Sequence, residues 1–128
     1  MKEKLISLLE HSYSPYSHFQ VAALAVMKDG TEFPGVNVEN ASYGSTICAE
    51  RSAIVSAISG GYHKGDFEAL YVMCNNKKIG MSCFLCRQVI AEFFEKDKLI
   101  IAMNPDGLEE THTVEELCPY PFSEDDLR

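Results

Sequence analysis

The sequence predicts an α/β fold: a three-layer α/β/α sandwich with a mixed sheet that opens with a hairpin and continues through crossover strands. Three observations predict it. Apolar runs at 19–26, 69–74 and 99–103 have the length of strands, and apart from Gln20 they are hydrophobic on both parities, as expected of strands buried on two faces. Between the later runs lie segments with apolar residues at helical spacing. Asp29 and Gly30, two residues beyond the first run, supply a hairpin turn.

Taken in order, Leu5, Leu8 and Leu9 mark one face of a first helix, which the Ser14-Pro15-Tyr16-Ser17 cluster brings to an end. The strand at 19–26 turns back into a partner at 31–38. After a loop around Tyr43 and Gly44, a second helix over 48–59 presents Ile54, Ala57 and Ile58, and Gly60-Gly61 stops it. The strand at 69–74 is followed by a polar loop over 75–80. Cys86, Val89, Ile90, Phe93 and Phe94 then form the i, i+3, i+4, i+7, i+8 stripe of a third helix. A buried strand at 99–103, an edge strand at 109–113 and a helical turn at 114–117 complete the expected order.

Length and composition bound the function. The 128 residues, 46% of them hydrophobic, contain no repeat and no long linker, so one domain spanning 1–128 is expected. Nineteen acidic against 11 basic side chains, a net charge of −8, is the wrong sign for gripping phosphates, which argues against a nucleic-acid partner. The N-terminal segment lacks the apolar core of a secretory signal, and no run is long enough to span a bilayer; a cytoplasmic protein without membrane partners is expected. In that compartment five cysteines read as ligands, nucleophiles or core residues rather than as disulfides.

Cys83 and Cys86 form a C-x-x-C at the start of the third helix, where backbone N–H groups favour thiolates. That spacing alone leaves a metal site, a redox dithiol and two core cysteines open. Cys48 also opens a helix after a loop, so the two helix N-termini can converge. Three thiolates on zinc would leave one tetrahedral position open, the mark of a catalytic site. Glu50, two residues after Cys48, is poorly placed as a co-ligand and well placed beside the open position as a proton shuttle; without the cysteines it would read as a solvated first-turn acid. Arg51 and the two helix dipoles can offset the excess thiolate charge.

Asn37-Val38-Glu39-Asn40-Ala41, Cys48-Ala49-Glu50-Arg51 and Cys83-x-x-Cys86-Arg87-Gln88 together resemble the cytidine deaminases. So do Phe19-Gln20-Val21, the Thr113–Leu117 block and Phe122 with the acidic residues after it. The blocks occur in the family's order over nearly the whole chain. The resemblance implies Cys48, Cys83 and Cys86 as ligands of one zinc ion per chain, and Glu50 as the group that moves protons between water, the pyrimidine ring and leaving ammonia. It implies that Asn37 and Glu39 bind the ribose, that Phe19 packs on the base, that the Ala49 N–H holds the base carbonyl, and that Arg51 and Gln88 donate to the thiolates. It further implies hydrolytic deamination of cytidine and deoxycytidine in pyrimidine salvage. The short-chain members form homotetramers, with active sites at subunit interfaces and an aromatic, here Phe122, entering a neighbour's site.

The residues by themselves also admit plainer readings. Asn37 and Glu39, two apart on a strand, share a side and can address one sugar, or simply end an exposed strand. By residue type alone Phe19 and Phe122 read more readily as core or interface aromatics than as base-stacking residues. The chain departs from the family at Ser82, where a proline is usual, and at Phe84, where a glycine is usual. Cys74 reads as core, Cys118 as interfacial, and the four histidines lack metal-ligand spacing. A blasticidin-S-type deaminase of the same superfamily, a thiol redox protein using Cys83 and Cys86, and a four-cysteine structural zinc module are the alternatives.

Overall fold

The computed structural model describes residues 1–127. Its centre is a sheet of five strands: β1 (Val21–Met27), β2 (Glu32–Val36), β3 (Phe67–Cys74), β4 (Leu99–Met103) and β5 (Glu109–Thr113), in the order β2-β1-β3-β4-β5. The helices are α1 (Lys2–Leu9), α2 (Ala49–Ser59), α3 (Phe84–Phe93) and the short α4 (Val114–Leu117), with 3₁₀ turns at Tyr43–Ser45 and Glu124–Leu127. β1 is antiparallel to both β2 and β3, β3 and β4 are parallel, and β5 returns antiparallel to β4. β2 and β3 therefore run the same way with β1 between them, so α2 crosses over β1. α3 makes the crossover between the adjacent parallel strands.

This is the mixed α/β architecture that the alternation of strand and helix signals predicts. Leu5 and Leu9 of α1 pack on Ala22, Leu24, Met73, Ile101 and Met103 on one face of the sheet. Ala23, Ala25 and Met27 face the opposite way, into a larger core with Ala53, Ile54 and Ala57 of α2 and Ile90 of α3. Both parities of β1 are thus buried, which is why that run carries no polar alternation.

α2 lies unusually close to the sheet. A Cβ added to Gly35 in β2 would sit 2.4 Å from the Ala53 nitrogen and 2.5 Å from the Ala49 carbonyl oxygen. Gly35, Ala49 and Ala53 are small because backbone meets backbone there. The N-terminus of α2 is thereby clamped against the hairpin.

Several boundaries differ from the sequence expectation for local reasons. The strand expected from Phe19 begins at Val21, because His18 takes a left-handed φ of 58° and the Phe19 backbone is held by side chains instead of a ladder. The Phe19 N–H donates to Ser17 Oγ at 3.0 Å, and its carbonyl accepts from Asn37 Nδ2 at 2.7 Å. The partner strand expected to run to Val38 ends at Val36, and Val38 instead makes isolated bridges with Tyr13 and Ile47. Cys48 caps α2 rather than beginning it. Thr113 and Glu116 form a capping box that turns β5 directly into α4.

Candidate active site

Three sulfurs meet where the two crossover helices begin. Cys48 is the N-cap of α2 and Cys83 the N-cap of α3, with Cys86 one turn further along α3. The Cys48 and Cys83 sulfurs are 3.9 Å apart, those of Cys83 and Cys86 3.4 Å apart, and all three lie within 4.8 Å of one another. Zinc–sulfur bonds of about 2.3 Å at a tetrahedral angle place sulfurs roughly 3.8 Å apart, so the donor set fits zinc. Cys74 and Cys118 stand outside the cluster, which among the described residues contains no fourth ligand. The four-cysteine module is therefore not built. A two-thiol redox reading likewise leaves the third convergent sulfur without a purpose.

The electrostatics favour a thiolate at Cys48. Hydrogen bonds from Cys86 and then Arg51 lower the Cys48 pKa to about 5, and the shared contact, with burial, pushes that of Cys86 up. Arg51 Nη2 lies 3.5 Å from the Cys48 sulfur, as expected of a charge-offsetting donor. Its Nε is buried with no hydrogen-bond partner. Such an orphan donor beside sulfur acceptors is accounted for once the cluster is fully deprotonated around a cation.

Glu50, in the first turn of α2, is 5% exposed. Burial raises its pKa above the ordinary carboxyl value, Ser82 opposes this through its side chain, and the Cys48 charge adds to it. Ser82, where the family commonly has proline, is thus a buried hydroxyl directed to the carboxyl. A carboxyl with a raised pKa in a dry site can both take and return a proton near neutral pH.

Glu50 and two of the thiols, Cys48 and Cys83, open into a cavity of about 250 Å³ lined also by Phe19, Val21, Asn37, Glu39, Thr46, Ala49, Val72, Cys74, Gly80 and Met81. The bridge between Val38 and Ile47, with N···O distances of 2.9 and 3.0 Å, explains the convergence. It ties the residue between Asn37 and Glu39 to the residue before Cys48. Ala49 is the first residue of α2, and its N–H belongs to the four that a helix leaves without an internal partner.

Asn37 and Glu39 face the cavity while holding the loops around it. Asn37 Oδ1 accepts from Ser12 Oγ and from Val21 N (2.9 Å), and its Nδ2 donates to the Phe19 carbonyl, which leaves one N–H for a ligand. Glu39 accepts from the backbone N–H groups of Tyr16 (3.0 Å) and Ser17 (3.2 Å) and from the Ser17 hydroxyl. Those bonds, the Ser17 hydroxyl first, hold its carboxyl below the ordinary value.

One expectation is corrected by the geometry. Gln88 does not donate to the thiolates: its Nε2 bonds the Phe122 carbonyl at 2.7 Å and its Oε1 accepts from the Phe122 N–H at 3.2 Å. Cys74 is a buried core residue, as expected, and it also lines the cavity wall. Phe122 is 58% exposed and lines no part of its own chain's cavity. The sequence reading overlooked Gly35, whose mid-strand glycine was the available signal. It also passed over Thr46, Val72 and Gly80, for which no local signal exists.

A mixed sheet flanked by helices, with three cysteines and a buried glutamate at two helix N-termini, defines a zinc-dependent hydrolytic centre. Residues 1–103 match the family model for the cytidine and deoxycytidylate deaminase zinc-binding region. The cytidine deaminase of Halalkalibacterium halodurans is 42% identical over 125 residues, covering 98% of this chain and 93% of the relative. That of Sporosarcina psychrophila is 41% identical over 129 residues, with the same coverage of each. The crystal structure of cytidine deaminase from Burkholderia pseudomallei superposes with a TM-score of 0.90 at 38% identity, covering 94% of each chain. The chain belongs to the cytidine deaminase family.

Proposed function

We propose that residues 1–128 act as one cytidine deaminase domain that hydrolyses cytidine and deoxycytidine to the uridines with release of ammonia. The carrying observation is that Glu50, Cys48 and Cys83 open into the same cavity as Asn37, Glu39 and Phe19. Cys48, Cys83 and Cys86 would hold one Zn²⁺ per chain, which would supply the Lewis acidity that activates water. Glu50 takes a proton from the attacking water, delivers it to ring N3, and passes the second to the departing amino group. Phe19 covers the base, the Ala49 N–H addresses its carbonyl oxygen, and Asn37 and Glu39 bind ribose hydroxyls. Arg51 balances the thiolate charge.

The cavity lining carries two carboxylates and no lysine or arginine, which favours the uncharged nucleoside over its 5′-phosphate. The same charge pattern and the net charge of −8 oppose a polynucleotide substrate. Phe84, Leu85, Val55 and Phe122 are exposed apolar residues on or beside the elements that carry the site. They support a homotetramer in which Phe122 enters a neighbour's cavity. Among the described residues no helix is long and apolar enough to cross a membrane. A cytoplasmic role in pyrimidine salvage accords with the substrate.

The test is loss of the cytosine absorbance band with cytidine, deoxycytidine, deoxycytidylate and blasticidin S in parallel, with zinc and molar mass measured on the same sample. Turnover of the two plain nucleosides by a zinc-bearing tetramer is expected. Preference for deoxycytidylate or blasticidin S would overturn the substrate assignment, and a monomer with full activity would overturn the assembly.

A further inference from the structure

The side chain of Gln88 closes two hydrogen bonds on the backbone of a single residue 34 positions away. Its Nε2 donates to the Phe122 carbonyl at 2.7 Å, and its Oε1 accepts from the Phe122 N–H at 3.2 Å. The neighbouring Arg87 donates through Nη1 to the Leu117 carbonyl at 3.2 Å. Consecutive residues of α3 thus hold both ends of the segment between α4 and Phe122. That segment contains Pro119 and Pro121, which have no N–H to give, so it cannot pair as a strand. The Phe122 ring is left 58% exposed.

We propose that Gln88 is a positioning residue for substrate binding, fixing Phe122 relative to the zinc-site helix so that its ring is presented to the cavity of a second copy. This rests on the reading that Phe122 enters a neighbour's site. Gln88 lies two residues after Cys86, so the aromatic is indexed to the same rigid element that carries two of the three thiols. A tail held only by its own turns would lose ring placement to conformational freedom, and substrate binding would bear the cost.

The experiment is a double-mutant cycle in the zinc-loaded, assembled enzyme with Gln88→Met, Phe122→Ala and the pair, plus hydrogen exchange of the Phe122 amide. Gln88→Met keeps the length and helix preference of the side chain and removes both hydrogen-bonding groups. It is expected to raise the KM for cytidine by about tenfold with kcat within about threefold, the scale of one or two modest hydrogen bonds. Exchange at Phe122 should quicken, while zinc content and molar mass stay as in the parent. In the Phe122→Ala background the same change should alter KM by less than about twofold, because no ring remains to be placed. Full additivity, unchanged exchange, or loss of zinc or assembly in Gln88→Met would overturn the role of Gln88. A normal KM in Phe122→Ala would instead remove the reading on which it rests.

Discussion

Gly35→Ala tests the link between packing and catalysis most directly. The new Cβ would lie 2.4 Å from Ala53 N, 2.5 Å from Ala49 O and 2.9 Å from Ala53 Cα. Comfortable contacts are about 3.5–4.0 Å, so α2 must retreat by roughly 1 Å, and since every clashing atom is backbone no rotamer change can absorb it. Overpacking of this kind costs about 1–3 kcal/mol, and the backbone clash puts it at the upper end. For a chain of this size that lowers the melting temperature by on the order of 10 °C. The displaced helix carries Cys48 at its cap and Glu50 in its first turn. A shift of about 1 Å at the reacting groups is enough to lower kcat/KM roughly 100-fold. Thermal melts, steady-state kinetics with cytidine and zinc content are the readouts. Gly65→Ala is the control: it strains a φ of +89° but meets nothing within 4 Å, so it should cost about 1–2 kcal/mol with kcat/KM unaltered. If Gly35→Ala melted within about 2 °C of the parent and kept its kcat/KM, the argument that this glycine clamps the site would fail.

Glu50→Gln should retain zinc and fold while kcat drops by about 10³-fold or more; near-normal turnover would remove Glu50 from proton transfer. Replacing Cys74 and Cys118 together by Ser should leave zinc at one per chain, whereas Cys83→Ser should lose it, and zinc loss in the first variant would refute the three-thiol site. Because the Ser17 hydroxyl holds the Glu39 carboxyl below its ordinary value, its contribution to ribose binding should be present above that value and vanish only as pH falls through the lower one. Ser17→Ala should therefore move the acid limb of kcat/KM to higher pH, and an unmoved limb would show that Glu39 does not set it.

The legible part of the fold was legible for definite reasons. β4 lies where its own apolar run puts it, and β5 and α4 fall at the expected 109–113 and 114–117. The hairpin at Asp29-Gly30 is equally local, with Gly30 at a φ of 90°. The start of β1 was misplaced because Asn37 and Asn75, distant in sequence, and the adjacent Ser17 bind the backbone of 18–21 and replace ladder bonds there, and the end of β2 because Val38 bridges Tyr13 and Ile47 instead. Cysteine spacing and helix-start position marked Cys48, Cys83 and Cys86 as candidates, because capping chemistry is written within a few residues, and the family resemblance is what implied them as zinc ligands.

By itself the sequence determined the α/β class, since periodicity and capping act over short spans, and it marked the candidate site residues through motifs that resemble the cytidine deaminases. Only the tertiary structure decided that three sulfurs from two helices come within 4.8 Å, that Asn37 and Glu39 serve loops as well as the cavity, and that Gln88 holds Phe122 rather than a thiolate. Those outcomes depend on which backbone groups remain unpaired once the strands and helices have packed. No local pattern encodes them, because they join segments that lie 16 to 35 residues apart.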